Sequence, residues 1–143
     1  MLNQFSKSER LTGQLVIDKL FAGGNASMAV FPLRVVFMKM GDYGTYETNG
    51  TYGTNKTYGR EKPPVSILVS VPKRRFHHAV ERNRVKRLVR EAYRLNKHIL
   101  WDAMEGKEGR LAVAFICITD KVPSFNLVKR SMIKALTRIA ERI

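Results

Sequence analysis

Apolar and polar positions along this chain fall into blocks whose spacing switches between helical and extended. Val16, Ile17, Leu20 and Phe21 recur at helical spacing after Thr12, a residue able to cap a helix. Gly23 and Gly24 end that segment, because glycine enters the left-handed cap conformation cheaply. Residues 27–40 are rich in Val, Phe and Met and read as one strand, or two joined by a bend. Pro32 lacks the N–H that a ladder needs, so it belongs at an edge or a bulge. Residues 65–71 form a β-branched strand ended by Pro72. A long helix is predicted to start within residues 76–79 and run to about Leu100. After a turn at 105–109, residues 111–118 are almost wholly apolar, as a central strand buried on both faces requires. Ser124 or Pro123 opens a last helix, with Phe125, Val128, Met132, Leu136, Ile139 and Ile143 on one face. The order predicts an α+β fold: a single-domain α-β sandwich of one mostly antiparallel sheet, about four strands, with three helices.

One block breaks the pattern. Residues 41–62 contain no Ala, Val, Ile, Leu, Met or Phe, yet they hold four of the five tyrosines. Three hexamers run in tandem there: TYETNG, TYGTNK and TYGREK. The period is far shorter than that of a repeat fold. The block reads as a flexible low-complexity insertion within one domain spanning 1–143. Its tyrosines offer faces for stacking on bases, although a solvated hairpin tip accounts for the same composition.

Composition then narrows the function. The chain has 143 residues, 44% of them hydrophobic, which is enough for one core. Lys and Arg number 26 against 12 Asp and Glu, a net charge of +14. Such an excess implies a polyanionic partner. The single cysteine, Cys117, rules out an internal disulfide framework and a cysteine-cluster zinc site. No apolar run approaches the ~20 residues of a membrane span, and the N-terminus carries no secretory signal. The expectation is a cytoplasmic nucleic-acid-binding domain with no membrane partner.

The charge is local. Residues 73–97 hold ten basic side chains and two acids, a net of eight positive charges in 25 residues, against six in the other 118. Within the predicted helix Val85, Leu88, Ala92, Leu95 and Ile99 form an apolar stripe. Arg82, Lys86, Arg90 and Arg94 step by four along a row expected on the far side, flanked by Asn83 and Arg87, with Arg84 at the seam. Steps of four place cations about 6 Å apart, near the phosphate spacing of a nucleic-acid strand. Like charges at this spacing destabilise a helix, and Glu91 is placed to neutralise Arg87 alone. Helix capping does not account for Arg82-Asn83-Arg84, which lies inside the predicted helix.

Residues 71–94, VPKRRFHHAVERNRVKRLVREAYR, resemble the signature of the bacterial ribonuclease P protein component. The centre of the resemblance is Arg82-Asn83-Arg84, followed by Lys86-Arg87 and Arg90. It extends to the Arg10-Leu11 pair and to the short helix ending in Leu20-Phe21, and it leaves out only 41–62. It implies the non-catalytic protein subunit of a ribonucleoprotein endoribonuclease that removes the 5′ leader of precursor tRNA. The RNA subunit would carry the catalysis and most of the Mg2+. The partners implied are ribonuclease P RNA and precursor tRNA, with no obligatory protein partner. The fold implied has a left-handed β-α-β crossover. The RNA-binding residues implied are Lys73, Arg74, Arg75, Arg82, Asn83, Arg84, Lys86, Arg87, Arg90 and Arg94. Phe21 matches a leader-cleft aromatic, Phe31 is a second candidate, and Ile17 stands where many members carry another aromatic.

No protein active site or metal site emerges. His77 and His78 are adjacent, and side chains at i,i+1 diverge on a helix. Asp18, Asp42, Asp102 and Asp120 are scattered, so the carboxylate pairs of metal-assisted phosphodiester cleavage are missing. Cys117 reads as a small buried hydrophobe. Trp101 reads as a packing cap more readily than as a stacking platform, and the spacing of Phe21 also fits ordinary core. A rival of another kind, a ribosomal-type or other structured-RNA-binding module, would use the same basic helix.

Overall fold

The computed structural model describes residues 5, 7–40, 63–107 and 109–143. The insertion expected at 41–62 therefore lies outside the described residues. A 3-10 turn, Lys7–Glu9, precedes α1 (Gln14–Leu20), β1 (Ala26–Val30), β2 (Leu33–Met40) and β3 (Val65–Ser70). Then come α2 (Ala79–Asn96), α3 (His98–Met104), β4 (Arg110–Cys117) and α4 (Phe125–Arg142). The sheet order is β1-β2-β4-β3. The first two pairings are antiparallel and β3 runs parallel to β4. This is the expected α+β sheet of four mostly antiparallel strands, joined on its parallel side by a β-α-β crossover.

The two faces of the sheet differ by strand parity. Leu33, Val35 and Phe37 of β2 join Val65, Ile67 and Val69 of β3 and Leu111, Val113 and Phe115 of β4 under α2, α3 and α4. Val36 and Met40, with Ala112 and Ala114, face the other way, toward Leu11 and α1, whose Leu20 is buried there. The central strand β4 is buried on both faces from Leu111 to Phe115, as its unbroken apolar run demands. Gly109 leads into it with φ of +88°, and a Cβ there would stand 2.8 Å from the Met40 carbonyl oxygen, so only glycine fits.

One local expectation is resolved between its two alternatives and three are revised. Residues 27–40 are two strands, with Phe31 and Pro32 as the two-residue turn between Val30 and Leu33. Gly13, with φ of +97°, takes the N-cap of α1 in place of Thr12, and Asn25 caps its other end by donating to the Lys19 and Leu20 carbonyls. The long helix is broken at Lys97, making four α-helices among the described residues in place of three. The buried stripe of α2 is Val85, Val89, Ala92, Tyr93 and Asn96, while Leu88 is half-buried and Leu95 exposed. Tyr93 wins the inward position because Phe115 beneath it and Phe5 at its edge form an aromatic pocket, with ring centroids 6.2 and 6.0 Å away. The last helix matches its reading: Ser124 Oγ accepts from the Leu127 N–H, and Val128, Met132, Leu136 and Ile139 are buried.

The N-terminal segment wraps the β3 edge. Its Arg10 bridges Ile67, and the Leu11 N–H donates to the Ile67 carbonyl at 2.7 Å. Glu9 meets Lys97 at the α2–α3 break: Lys97 Nζ lies 3.0 Å from both carboxylate oxygens, and both side chains are 5% exposed. Lys97 also sits 4.5 Å from the centre of the Trp101 ring, and the Trp101 indole N–H donates to the Tyr93 hydroxyl. Burial pushes the Tyr93 phenol well above its ordinary value, so it stays protonated. Among the described residues no helix is long and apolar enough to cross a membrane.

Candidate nucleic-acid interface

The basic row of α2 does not lie on the far side of the helix. Inward rotation of the stripe to Tyr93 and Asn96 brings Arg82, Lys86, Arg90 and Arg94 to the margin of the core, where all four are half-buried. Asn83, Arg84 and Arg87 are exposed. Phe5, Asn83, Lys86, Arg87, Arg90, Glu91 and Arg94 line one shallow cleft of about 410 Å³. Arg10 reaches the same place from the N-terminal segment, with its guanidinium 5.8 Å from the centre of the Phe5 ring. Burial, and then the charge of Arg10, lower the pKa of Arg90. Arg10, over the face of the Phe5 ring, and Arg90, in the cleft that Phe5 also lines, bring two positive charges to one place, an arrangement suited to an anion.

The row is not uniform in role. Arg82 Nη1 donates to the carbonyls of Phe76 and His77 at 2.8 and 3.1 Å. It thus fastens the turn before α2 to the helix, so part of the motif serves the helix start. Glu91 pairs with Arg94, not with Arg87: Arg94 Nη2 and Nε donate to its two carboxylate oxygens. That pairing lowers the Glu91 pKa and raises that of Arg94, the side-chain hydrogen bond being the main cause in each. In the turn ahead of α2, Lys73 and Arg74 are exposed, while Arg75 is half-buried and meets Asp120 at 3.1 Å. Among the basic side chains of the motif, Lys73, Arg74, Arg82, Arg84, Lys86, Arg87 and Arg90 are therefore clear of any described ion pair, and of these Arg82 is engaged with backbone carbonyls. Arg10 and Phe5 are the members that helix spacing did not reveal. The Arg10-Leu11 pair was the available signal for the first, and nothing near Phe5 marked the second.

On the opposite sheet face, Ala112 and Ala114 give β4 a floor of small side chains beside α1. Met38, Leu68 and Ile116 pack around it, half-buried, and Arg34 is exposed on β2. Ile17 is half-buried against this cluster. Phe21, at the α1 C-cap, is 45% exposed, so it is not core. Phe31 is 58% exposed in the β1–β2 turn, where its carbonyl accepts from the Ser131 hydroxyl of α4. Phe21 precedes β1 in the chain and Phe31 stands in the turn beyond its other end. The structure does not bring them together. Phe37 is buried on the helix side. Among the described residues no three His, Cys, Asp or Glu side chains gather as a metal site would. Cys117 is buried, and burial raises its thiol pKa.

A family model described as Ribonuclease P matches residues 5–140. The chain is 44% identical over 138 residues to the ribonuclease P protein component of Porphyromonas gingivalis, covering 96% of this chain and 88% of that one. It is 29% identical to the component of the same name from Chlorobium phaeobacteroides, covering 96% and 89%. Its fold is similar to the solved RNase P protein of Staphylococcus aureus, with TM-score 0.61 at 16% identity over 94% and 97% of the two chains. It is equally similar to that of Thermotoga maritima, with TM-score 0.61 at 20% identity over 91% and 96%.

Proposed function

This chain belongs to the ribonuclease P protein family, and from that premise we propose that its α2 margin is where it grips the RNA subunit. It is the protein component of a ribonucleoprotein endoribonuclease, and ribonuclease P RNA is its partner. The observation that carries the site assignment is the convergence of Arg10 and Phe5 on Asn83, Lys86, Arg87 and Arg90. There guanidinium and ammonium groups meet phosphates, and Asn83 adds an amide that both donates and accepts. Lys73, Arg74, Arg75, Arg84 and Arg94 extend the positive surface. Arg82 supports it by holding the helix start, with RNA contact as its second role.

The cleft is lined by guanidinium and ammonium groups, one amide and one carboxylate, Glu91, which Arg94 already engages through both oxygens, whereas Mg2+ takes oxygen ligands in octahedral array. The α2 margin therefore does not fit a resident magnesium ion. The reading leaves Mg2+ with the RNA and gives the protein charge neutralisation and positioning. The setting is the cytoplasm, with RNA as the only obligatory partner. The protein alone, with magnesium, is expected not to cleave precursor tRNA, and combined with its RNA it is expected to raise the efficiency of cleavage, most at physiological salt. Single-turnover assays of protein alone, RNA alone and both together check this. Cleavage by RNA-free protein, or recovery of ribosomal RNA in place of ribonuclease P RNA from cells, overturns the reading.

The 5′ leader is assigned to the small-residue floor between α1 and the sheet, with Phe21 as its stacking face. Phe31, exposed in the β1–β2 turn, is the second and weaker candidate. Phe21→Ala is expected to weaken binding of precursor tRNA by roughly 1–3 kcal/mol, the worth of one base–aromatic stack. Mature tRNA, which has no leader, should bind the holoenzyme unchanged. Equal losses for the two ligands would remove Phe21 from the leader path.

A further inference from the structure

The last helix carries a second ladder that the ribonuclease P reading does not use. Arg130, Lys134, Arg138 and Arg142 step by four along α4, and Lys129 flanks them. All five are exposed, whereas the α2 row is half-buried. Among the described residues none of the five enters an ion pair, and Glu141 is the one acid on the helix. Repulsion at i,i+4 works against the helix at each of the three steps.

The ladder is apart from the α2 cluster. α4 and α2 lie side by side over the same sheet face, but α4 packs on β1 and β2 while α2 packs on β3. At its C-terminal end Arg142 shares a cleft of about 390 Å³ with Lys19 of α1 and Lys39 of β2. Positive charge thus continues from the helix to side chains of two other elements.

We propose that the outer face of α4, continued by Lys19 and Lys39, is a second RNA contact that grips the backbone of a double-helical arm. Four cations over about 18 Å of straight helix match a rigid line of phosphates. The exposed positions of α4 hold no aromatic side chain, and binding of unpaired strands depends on such faces. Paired RNA is held through phosphates and shape without them. An anionic membrane is the weaker partner, because Ile133 is the one large exposed hydrophobic on this helix and an interfacial helix needs an apolar face. The ribonuclease P reading enters only in saying which RNA supplies the arm.

The test compares Arg130→Ala/Lys134→Ala/Arg138→Ala with wild type in binding to ribonuclease P RNA across salt concentrations. Alanine relieves the repulsion and favours helix, so the fold is retained, with circular dichroism as the check. Three fewer neutralised phosphates should flatten the log K against log salt slope by about 2.7, so wild type loses roughly 40-fold more affinity than the variant between 50 and 200 mM salt. A hydroxyl-radical probe tethered through Lys134→Cys should cut a paired segment, since native Cys117 is only 2% exposed and escapes labelling. An unchanged slope overturns the proposal, as does cutting confined to unpaired nucleotides. Loss of binding to phosphatidylserine vesicles with RNA binding intact also overturns it. If substitutions on α2 alter the slope while those on α4 do not, the proposal fails and the function above stands.

Discussion

Lys97→Met is expected to cost about 3–5 kcal/mol, because it strands the Glu9 carboxylate in the interior without its ammonium partner. That is a large share of the roughly 5–15 kcal/mol that holds an ordinary domain together. The loss should exceed any from the exposed basic residues, since the pair is nearly sealed from water and screening does not weaken it. The matched double variant, Glu9→Leu with Lys97→Met, removes both charges at once. It should recover most of the loss, as apolar replacements of buried pairs do. Urea unfolding of the two single variants and the double variant closes a thermodynamic cycle. A single-variant cost below about 1 kcal/mol would mean the pair is solvated in solution. A second readout follows from position. Glu9 anchors the segment that carries Arg10 to Arg90, so Lys97→Met should also weaken RNA binding although Lys97 itself is buried.

The second large effect lies at the α2 margin. Arg84→Ala/Lys86→Ala/Arg87→Ala removes three cations clear of described ion pairs and leaves in place Arg82, which holds the Phe76 and His77 carbonyls. Stability should change little. Affinity for ribonuclease P RNA should fall by about tenfold for each cation removed, from roughly 1.5 kcal/mol apiece. The salt slope should shrink by about 0.9 for each phosphate of paired RNA no longer neutralised. Arg82→Ala makes the contrast: it should lower stability by roughly 1.5–3 kcal/mol, because the Phe76 and His77 carbonyls give up charged hydrogen bonds. Filter binding across salt, paired with thermal unfolding, separates the two classes. Equal destabilisation by the triple variant would show that the exposed cations serve the fold.

Much of this was legible because it rests on short-range patterns. The apolar spacing of α4, the unbroken run of β4 and the glycines after α1 each answer to a local rule, and the structure follows them. The basic helix and its Arg82-Asn83-Arg84 centre were legible for the same reason. Side-chain partners across the chain were not. Glu9 and Lys97 are 88 residues apart, and no periodicity marks a buried charge. Periodicity favoured Leu95 for the α2 stripe, but Tyr93 occupies the core because Phe5 and Phe115 surround it. The break at Lys97 was hidden because Lys97 keeps helical dihedrals, φ of −64° and ψ of −20°, and no glycine or proline beside it marks a stop. Arg82 misled for a related reason: a long side chain in the first turn of a helix reaches back to carbonyls that precede it.

β4 is the third strand across the sheet but the last in the chain, and both of its neighbours precede it. During synthesis β2 and β3 emerge with the edges they will later share with β4 still open. Leu33 waits for Cys117, and Val65 for Leu111. The sheet then closes in one late step of long sequence separation, the kind of topology that folds slowly. Until Cys117 has left the ribosome, two apolar strand edges and the buried faces of α1 and α2 stay uncovered, and such surfaces invite aggregation. The basic helix is already complete at Asn96. Free chains truncated after Glu105 should therefore bind RNA weakly through charge, while pulse proteolysis still digests them as unfolded.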